Sequence, residues 1–280
     1  MGLTKTQSGG LDNSADFNIN SVTVGKGANS VATNTVLGVT ALDANVSGTY
    51  NVAVGINTLT ALTSGASNTA VGGEALDTLT TGNSNSAFGS EALDDCTTGS
   101  SNTGIGVNAL QKNTTASNNT AVGRSALGAN TTGAGNVAIG KDAMKTATTE
   151  NNCVAIGISA AANSTSGSNF VAVGREALTS QTTGDNNVAV GLNAGANITT
   201  GSSNTFLGTS AASQSTTSSN NTALGYASLG ANTTGDRNSA VGAEALDANT
   251  TGTKMTAMGY QALTAASTAT DCTCVGAFAG

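Results

Sequence analysis

Apolar and polar residues recur along most of this chain with a fixed period of seventeen positions. A glycine marks each unit, from Gly38 and Gly55 to Gly276, and positions are counted from this reference glycine, so that +4 is the fourth position after it. Position −1 is always apolar, and position +4 is most often leucine. Between them lie Asn, Thr, Ser and Gly, so apolar segments are very short. A constant period indicates a repeat protein in which each unit packs on its neighbours.

The interior is predicted from three positions of the unit that carry apolar residues, which are −1, +3 and +4. We predict that positions −1 and +4 face a dry core. The residues concerned are Val54, Val71, Phe88, Ile105, Val122, Ile139, Ile156, Val173 and Val190 at −1, and Leu76, Leu93, Leu110 and Leu127 at +4. Position +3 is alanine in 13 of 15 units. Such uniform smallness indicates the close approach of another backbone, within the coil or across a subunit interface.

Two polar positions also recur. A second glycine lies at +10, as in Gly82, Gly99 and Gly133, and we predict that it forms a corner with a positive φ. An asparagine lies at −4. The copies at Asn68, Asn85, Asn102 and Asn119 are predicted to stack as a ladder of hydrogen-bonded side chains.

The length of the unit decides the fold class. The segment G-x-E-A-L has helical propensity, but helical repeats need about 33 residues or more, whereas a unit of seventeen suits one β-coil. Proline, which cannot donate to a strand ladder, is absent. We therefore predict an all-β β-solenoid (β-roll) of about fifteen coils over residues 34–280, a rod on the order of 70 Å long. Residues 1–33 are out of register and are predicted to form an N-terminal cap or attachment segment.

Composition narrows the function. The net charge is −7 without Lys/Arg clusters, and no apolar run reaches about 18 residues, so we expect neither nucleic acid nor a membrane as a partner. Histidine is absent, which removes the Ser-His-Asp and Cys-His arrangements. We predict that the protein is not an enzyme and has no catalytic residue, cofactor or metal.

Cysteines, acids and threonines are the remaining candidate site residues. Cys96, Cys153, Cys272 and Cys274 are predicted to be small, partly buried filling residues, and an inter-chain bridge or metal site at Cys272 and Cys274 is the alternative. Acids recur at +2 and +5 in a minority of units, which favours a solvated face over a calcium site. The Thr-Thr pairs leave an ice-binding face as a further alternative.

The pattern N-[ST]-A-[VI]-G-x-x-A resembles the head repeats of YadA-type trimeric autotransporter adhesins. T-T-G-x-x-N-T-A-V-G-x-x-A-L more closely resembles repeats in phage tail-fibre and other virion structural proteins, over about residues 34–280. The resemblance implies a parallel homotrimer with small residues at its axis.

We accordingly expect a structural rod of a phage virion that contributes to host-surface attachment. The expected partners are copies of itself, stacked side by side and end to end, other virion proteins and host-surface glycans. The alternatives are a binding solenoid, as in an adhesin or ice-binding protein at the cell surface, and a self-assembling extracellular filament.

Overall fold

The computed structural model describes residues 16–280, and its regular structure is almost entirely β-strand. Two strands precede a turn of 3-10 helix at Ala28–Ser30, and fifteen follow it. The strands are β1 (Phe17–Ile19), β2 (Val22–Gly25), β3 (Thr35–Gly38), β4 (Val52–Val54), β5 (Thr69–Val71), β6 (Ser86–Phe88), β7 (Thr103–Ile105), β8 (Thr120–Val122), β9 (Val137–Ile139), β10 (Val154–Ile156), β11 (Val171–Val173), β12 (Val188–Val190), β13 (Thr205–Leu207), β14 (Thr222–Leu224), β15 (Ser239–Val241), β16 (Thr256–Met258) and β17 (Thr273–Val275). None of the helical structure in residues 16–280 has the length and apolar character of a membrane span.

Strands β3 to β17 form one parallel sheet in chain order. Val52, Ala53 and Val54 of β4 pair with Thr69, Ala70 and Val71 of β5, the equivalent positions of the next unit. The same register continues through fourteen successive parallel pairings, from β3–β4 to β16–β17. Parallel strands require a long connection, and here the rest of each unit supplies it as one coil. The chain is therefore a parallel β-solenoid, which confirms the predicted fold class.

The coil turns through left-handed backbone at non-glycine residues. Position +4 is one of these, and Leu76 there has a φ of 53°. A left-handed conformation costs an L-residue about 1–2 kcal/mol, whereas burying a leucine side chain contributes about 1.5–3 kcal/mol. Leu76, Leu93, Leu110 and Leu127 are all fully buried. Burial of the leucine therefore offsets the backbone strain at +4.

The glycine at +10 has a different role from the one predicted. Gly82, Gly99 and Gly133 do not have a positive φ, so that part of the prediction is wrong. A Cβ on Gly82 would instead lie 2.1 Å from the carbonyl oxygen of Gly99 in the next coil, and one on Gly133 would lie 2.2 Å from that of Glu150. Glycine is favoured at +10 because successive coils approach too closely for a side chain.

The core is narrow and is lined by small residues. Within one unit, Asn68 at −4, Ala70 at −2, Ala75 at +3, Leu76 at +4 and Leu79 at +7 are all fully buried. Because side chains alternate along a strand, −4 and −2 share the inward face and −3 and −1 share the outward one.

The apolar residues at −1 therefore lie outside the core, which corrects a second prediction. Phe88, Ile105, Ile139 and Ile156 are about two-fifths exposed, at 38–41%. The other five predicted core residues at this position are half-buried. They are Val54, Val71, Val122, Val173 and Val190.

The N-terminal part of the described chain pairs differently. β1 is antiparallel to β2, and β2 is antiparallel to β3, through Val24 and Leu37 among others. The carboxylate of Asp16 accepts hydrogen bonds from the backbone N–H of Lys26 at 2.5 Å and of Gly27 at 2.7 Å. β2 thus lies beside the first coil, antiparallel to it, and not in the parallel stack. Residues 1–15 of the predicted cap segment lie outside the described residues.

Candidate functional site

A row of half-exposed apolar side chains runs along the outward face of the parallel sheet. We call the residues at position −1, from Leu37 to Val275, the apolar stripe. Successive members lie one strand spacing apart, about 4.8 Å, because the register never shifts. Exposed apolar residues at +1 widen the stripe in several coils. They are Ile56, Val107, Ile158, Leu192, Tyr226 and Tyr260. A continuous apolar surface of this length is typical of an interaction site.

The borders of the apolar stripe are mostly uncharged. Position −3 is Thr, Ser or Val in every parallel strand. Basic side chains stand at +1 in three coils, as Arg124, Lys141 and Arg175, and each has an acidic neighbour. Arg124 and Lys141 lie 4.0 and 3.7 Å from the carboxylate of Asp142. Fixed charge therefore interrupts the stripe only in its middle.

The alanines at +3 contact the interior of their own chain. Ala75, Ala92, Ala109, Ala126 and Ala177 are fully buried within a single chain. Of the two alternatives for this position, the structure supports close packing within the coil. The small residues at +3 therefore lie in the solenoid interior, and the exposed apolar surface is the outward strand face.

The asparagine ladder uses its hydrogen bonds internally. The backbone N–H of Asn102 donates to Oδ1 of Asn85 at 3.0 Å, and its own Oδ1 accepts from the backbone N–H of Asn119 at 3.0 Å. Its Nδ2 donates to the carbonyl oxygen of Ala116 at 2.8 Å. Asn68 and Asn85 repeat this arrangement, and all four predicted members are fully buried. The ladder stabilises the coils and presents no group to a ligand.

The two threonines of each Thr-Thr pair differ in their contacts. At +8, the Thr80 hydroxyl donates to the carbonyl oxygen of Thr97 at 2.9 Å, and Thr97 donates in turn to Thr114 at 3.1 Å. At +9, residues such as Thr98 and Thr115 are exposed. The +8 ladder was not predicted, although threonine at one constant phase was its sequence signal.

Five acids in two adjacent coils form the densest charged cluster that we identify. Burial raises the pKa of Asp94 to about 6, and the neighbouring charges of Asp95 and Asp77, then Glu74 and Glu91, add to the shift. Asp95 also forms an ion pair with Lys112, in which Nζ lies 2.9 Å from Oδ2 of Asp95. Among residues 16–280, no three His, Cys, Asp or Glu side chains are grouped so that they could hold a metal ion.

All four cysteines are free thiols. Burial raises the pKa of both Cys96 and Cys153 to about 11, so these thiols stay protonated at neutral pH and are poor nucleophiles. Cys272 and Cys274 are partly exposed in the last coil.

One buried carboxyl group was not predicted from the sequence. Glu150 occupies the +10 position that is usually glycine, and it is fully buried. Its Oε2 accepts a hydrogen bond from the backbone N–H of Thr149 at 3.1 Å, while its Oε1 has no partner. Burial raises the pKa of this carboxyl. The signal was a charged residue at a position otherwise restricted to Gly, Ala and Ser.

The fold and its surface define a repeat protein of the β-solenoid class with an exposed apolar stripe. Comparison of the chain with known protein families, with curated proteins and with solved structures gave no match.

Proposed function

We propose that this chain is a structural rod segment of a phage virion, similar to a tail fibre, and that three copies associate in parallel through their apolar stripes. The observation that carries the proposal is the stripe itself, which leaves apolar side chains in water in every coil of a single chain. The virion location and the number of three chains come from the resemblance of the repeats. The rod supplies length and stiffness and contributes to attachment at a host surface.

The position of the apolar stripe supports further copies of this chain as its occupants. A stripe about 70 Å long and about 10 Å wide offers on the order of 700 Å² per chain, which a trimer divides between two neighbours, so the surface beside the stripe must contribute part of the roughly 800 Å² per partner of a stable interface. Two further properties favour self-association. Parallel copies have the same coil spacing, so each coil meets an equivalent coil along the full length. Acids are absent from positions −3 and −1 in β3–β17, so the net charge of −7 is carried elsewhere.

Molar mass in solution tests the assembly. We expect light scattering to give three times the chain mass of 26.9 kDa for the wild type. Replacing Phe88 and Ile105 together with glutamate, in coils without a basic residue at +1, places two like charges in the stripe of each copy and should yield single chains. The matched control, Thr98→Glu with Thr115→Glu, introduces the same charge at exposed +9 positions and should remain trimeric. A monomeric wild type contradicts the assembly.

Electron microscopy separates the rod from its alternatives. Labelling of fibres on phage particles by an antibody against the chain is the result we expect. Long fibres of this chain alone would instead favour the extracellular filament.

An ice-binding surface is the second candidate. The observation that favours it is the outward sheet face, where Thr103 and Thr120 at −3 run in register beside Ile105 and Val122 at −1. A face of this kind is suited to contact with either ice or another copy of the chain. Thermal hysteresis that is lost in the Phe88→Glu, Ile105→Glu variant and kept in its control would favour ice binding.

A further inference from the structure

A groove opens on the side of the solenoid across three consecutive coils. It has a volume of about 420 Å³. Position +2 contributes Glu176, Asn193 and Ser210 to its lining, and position +5 contributes the small residues Ala196 and Ser213. The remaining lining residues are polar as well, so the groove has no large apolar or aromatic side chain.

A second set of coils carries the same side chains at position +2 but satisfies them internally. There, position +2 holds Glu91, Asn108 and Ser125, and position +5 holds Gln111. Gln111 Nε2 donates to the Glu91 carboxylate at 2.6 Å, and Asn108 Nδ2 donates to Gln111 Oε1 at 3.3 Å. Gln111 therefore links the two polar side chains at the place where the other coils have an alanine.

Because Ala196 replaces this glutamine, the groove keeps unsatisfied polar groups. Asn193 Oδ1 is shielded from solvent and has no hydrogen-bond partner. Glu176 has no side-chain hydrogen bond of the Gln111 kind; its Oε1 lies 3.8 Å from Nε of Arg175, which offsets its charge. A buried acceptor without a donor is costly, and a ligand hydroxyl can satisfy it.

We propose that this groove binds a neutral saccharide, with Glu176 accepting a hydrogen bond from one sugar hydroxyl and Asn193 accepting from another after its side-chain amide turns to bring Oδ1 to the groove. Amides, hydroxyls and a charge-compensated carboxylate suit a ligand with many hydroxyl groups and no net charge. The volume lies in the usual range for small-molecule sites, about 300–1,000 Å³. The groove is open and lacks an apolar platform, so we expect a dissociation constant on the order of 1 mM. The proposal rests on the host-attachment part of the proposed function, but not on the assembly state.

The two sets of coils supply the variants for the test. Ala196→Gln copies Gln111 into the groove, so the new amide should pair with Glu176 and Asn193 and close the site. Gln111→Ala performs the reverse exchange outside the groove and serves as the matched control. We would titrate the full chain with lactose, maltose, cellobiose and diacetylchitobiose up to about 20 mM, followed by saturation-transfer NMR.

At least one disaccharide should bind the wild type, and Ala196→Gln should weaken that binding at least tenfold while Gln111→Ala retains it. Absence of binding of all four sugars to the wild type, or equal binding by Ala196→Gln, would overturn the proposal. Light scattering on the same samples keeps the two proposals apart, because Ala196 lies off the apolar stripe. If sugar binding is absent while the molar mass is that of a trimer, only the groove proposal fails. If the protein is a monomer and still binds sugar, only the assembly proposal fails.

Discussion

The coils at residues 89–105 and 140–156 have nearly the same backbone but different interiors. In the first, the backbone N–H of Leu93 donates to the carbonyl oxygen of Ala109 at 3.0 Å, and in the second Met144 donates to Ala160 at the same distance. Strand register is also identical, because each strand pairs with the equivalent positions of the next unit in both. Main-chain hydrogen bonds between coils therefore maintain the solenoid even where the side chains depart from the repeat.

The interiors differ at several positions, and two of these differences change buried polar groups. The first coil has Gly99 at +10 and Asn102 in the ladder, whereas the second has Glu150 and Cys153. Cys153 keeps a ladder contact through its backbone N–H, which donates to Oδ1 of Asn136 at 3.0 Å, and its thiol makes a weak contact with the carbonyl oxygen of Gly167 at 3.7 Å. The comparison teaches that the repeat tolerates local substitutions, because the main-chain hydrogen bonds between coils are kept.

The largest effect should come from the core of the regular coil. Leu93→Ala removes a fully buried side chain from a core without room to rearrange, and we expect a loss of about 3 kcal/mol in the free energy of unfolding. Val46→Ala, at a residue that is 65% exposed and lies off the apolar stripe, should cost less than about 1 kcal/mol. Denaturant titration measures both, and equal losses would contradict the assigned interior.

A smaller effect is expected at the asparagine ladder. Asn102→Ala leaves the backbone N–H of Asn119 buried without its acceptor and removes one of the two donors to the carbonyl oxygen of Ala116, the other being Asn113, which should cost about 2 kcal/mol. Cys153→Ala, at the equivalent position of the second coil, should cost about 1 kcal/mol or less, because the thiol is a weak hydrogen-bonding group. If the two variants lose equal stability, the ladder has no special role.

The smallest effect on stability is expected at Glu150 in the second coil, and it should depend on pH. The pKa of Glu150 is raised in the folded chain above its ordinary value of 4.5, so the folded state retains this proton more strongly than the unfolded state. Its stabilising contribution is complete below pH 4.5 and is lost as the pH rises through the raised pKa. Glu150→Gln should therefore gain about 1 kcal/mol over the wild type at pH 8 and little at pH 4.

Unfolding of both proteins at the two pH values provides the measurement. Asp94, whose pKa is also raised, is present in both, so the difference between them isolates Glu150. If the difference in the free energy of unfolding between the two proteins does not change with pH, burial does not raise the pKa of the Glu150 carboxyl.

The sequence by itself determined the period, the parallel stacking and the asparagine ladder, because a constant step along the chain brings identical side chains together in every coil. It also contained a constraint that the prediction did not use. Asn68 at −4 and Val71 at −1 are separated by an odd number of positions, so they cannot both face inward on one strand. Placing the ladder inside already required Ala70 to be inside and Val71 outside.

Only the tertiary structure decided that the strand face with the ladder is the inner one and why the second glycine recurs. In most coils alanine fills the inward strand position and valine or isoleucine lies on the outer face, and Phe206 takes the inward position in the coil where Gly195 stands at +4. The contact at Gly82 is likewise made by the next coil, at a distance that no local pattern encodes. The groove beside Asn193 has the same origin, because it depends on side chains from three coils that meet only when the chain is wound.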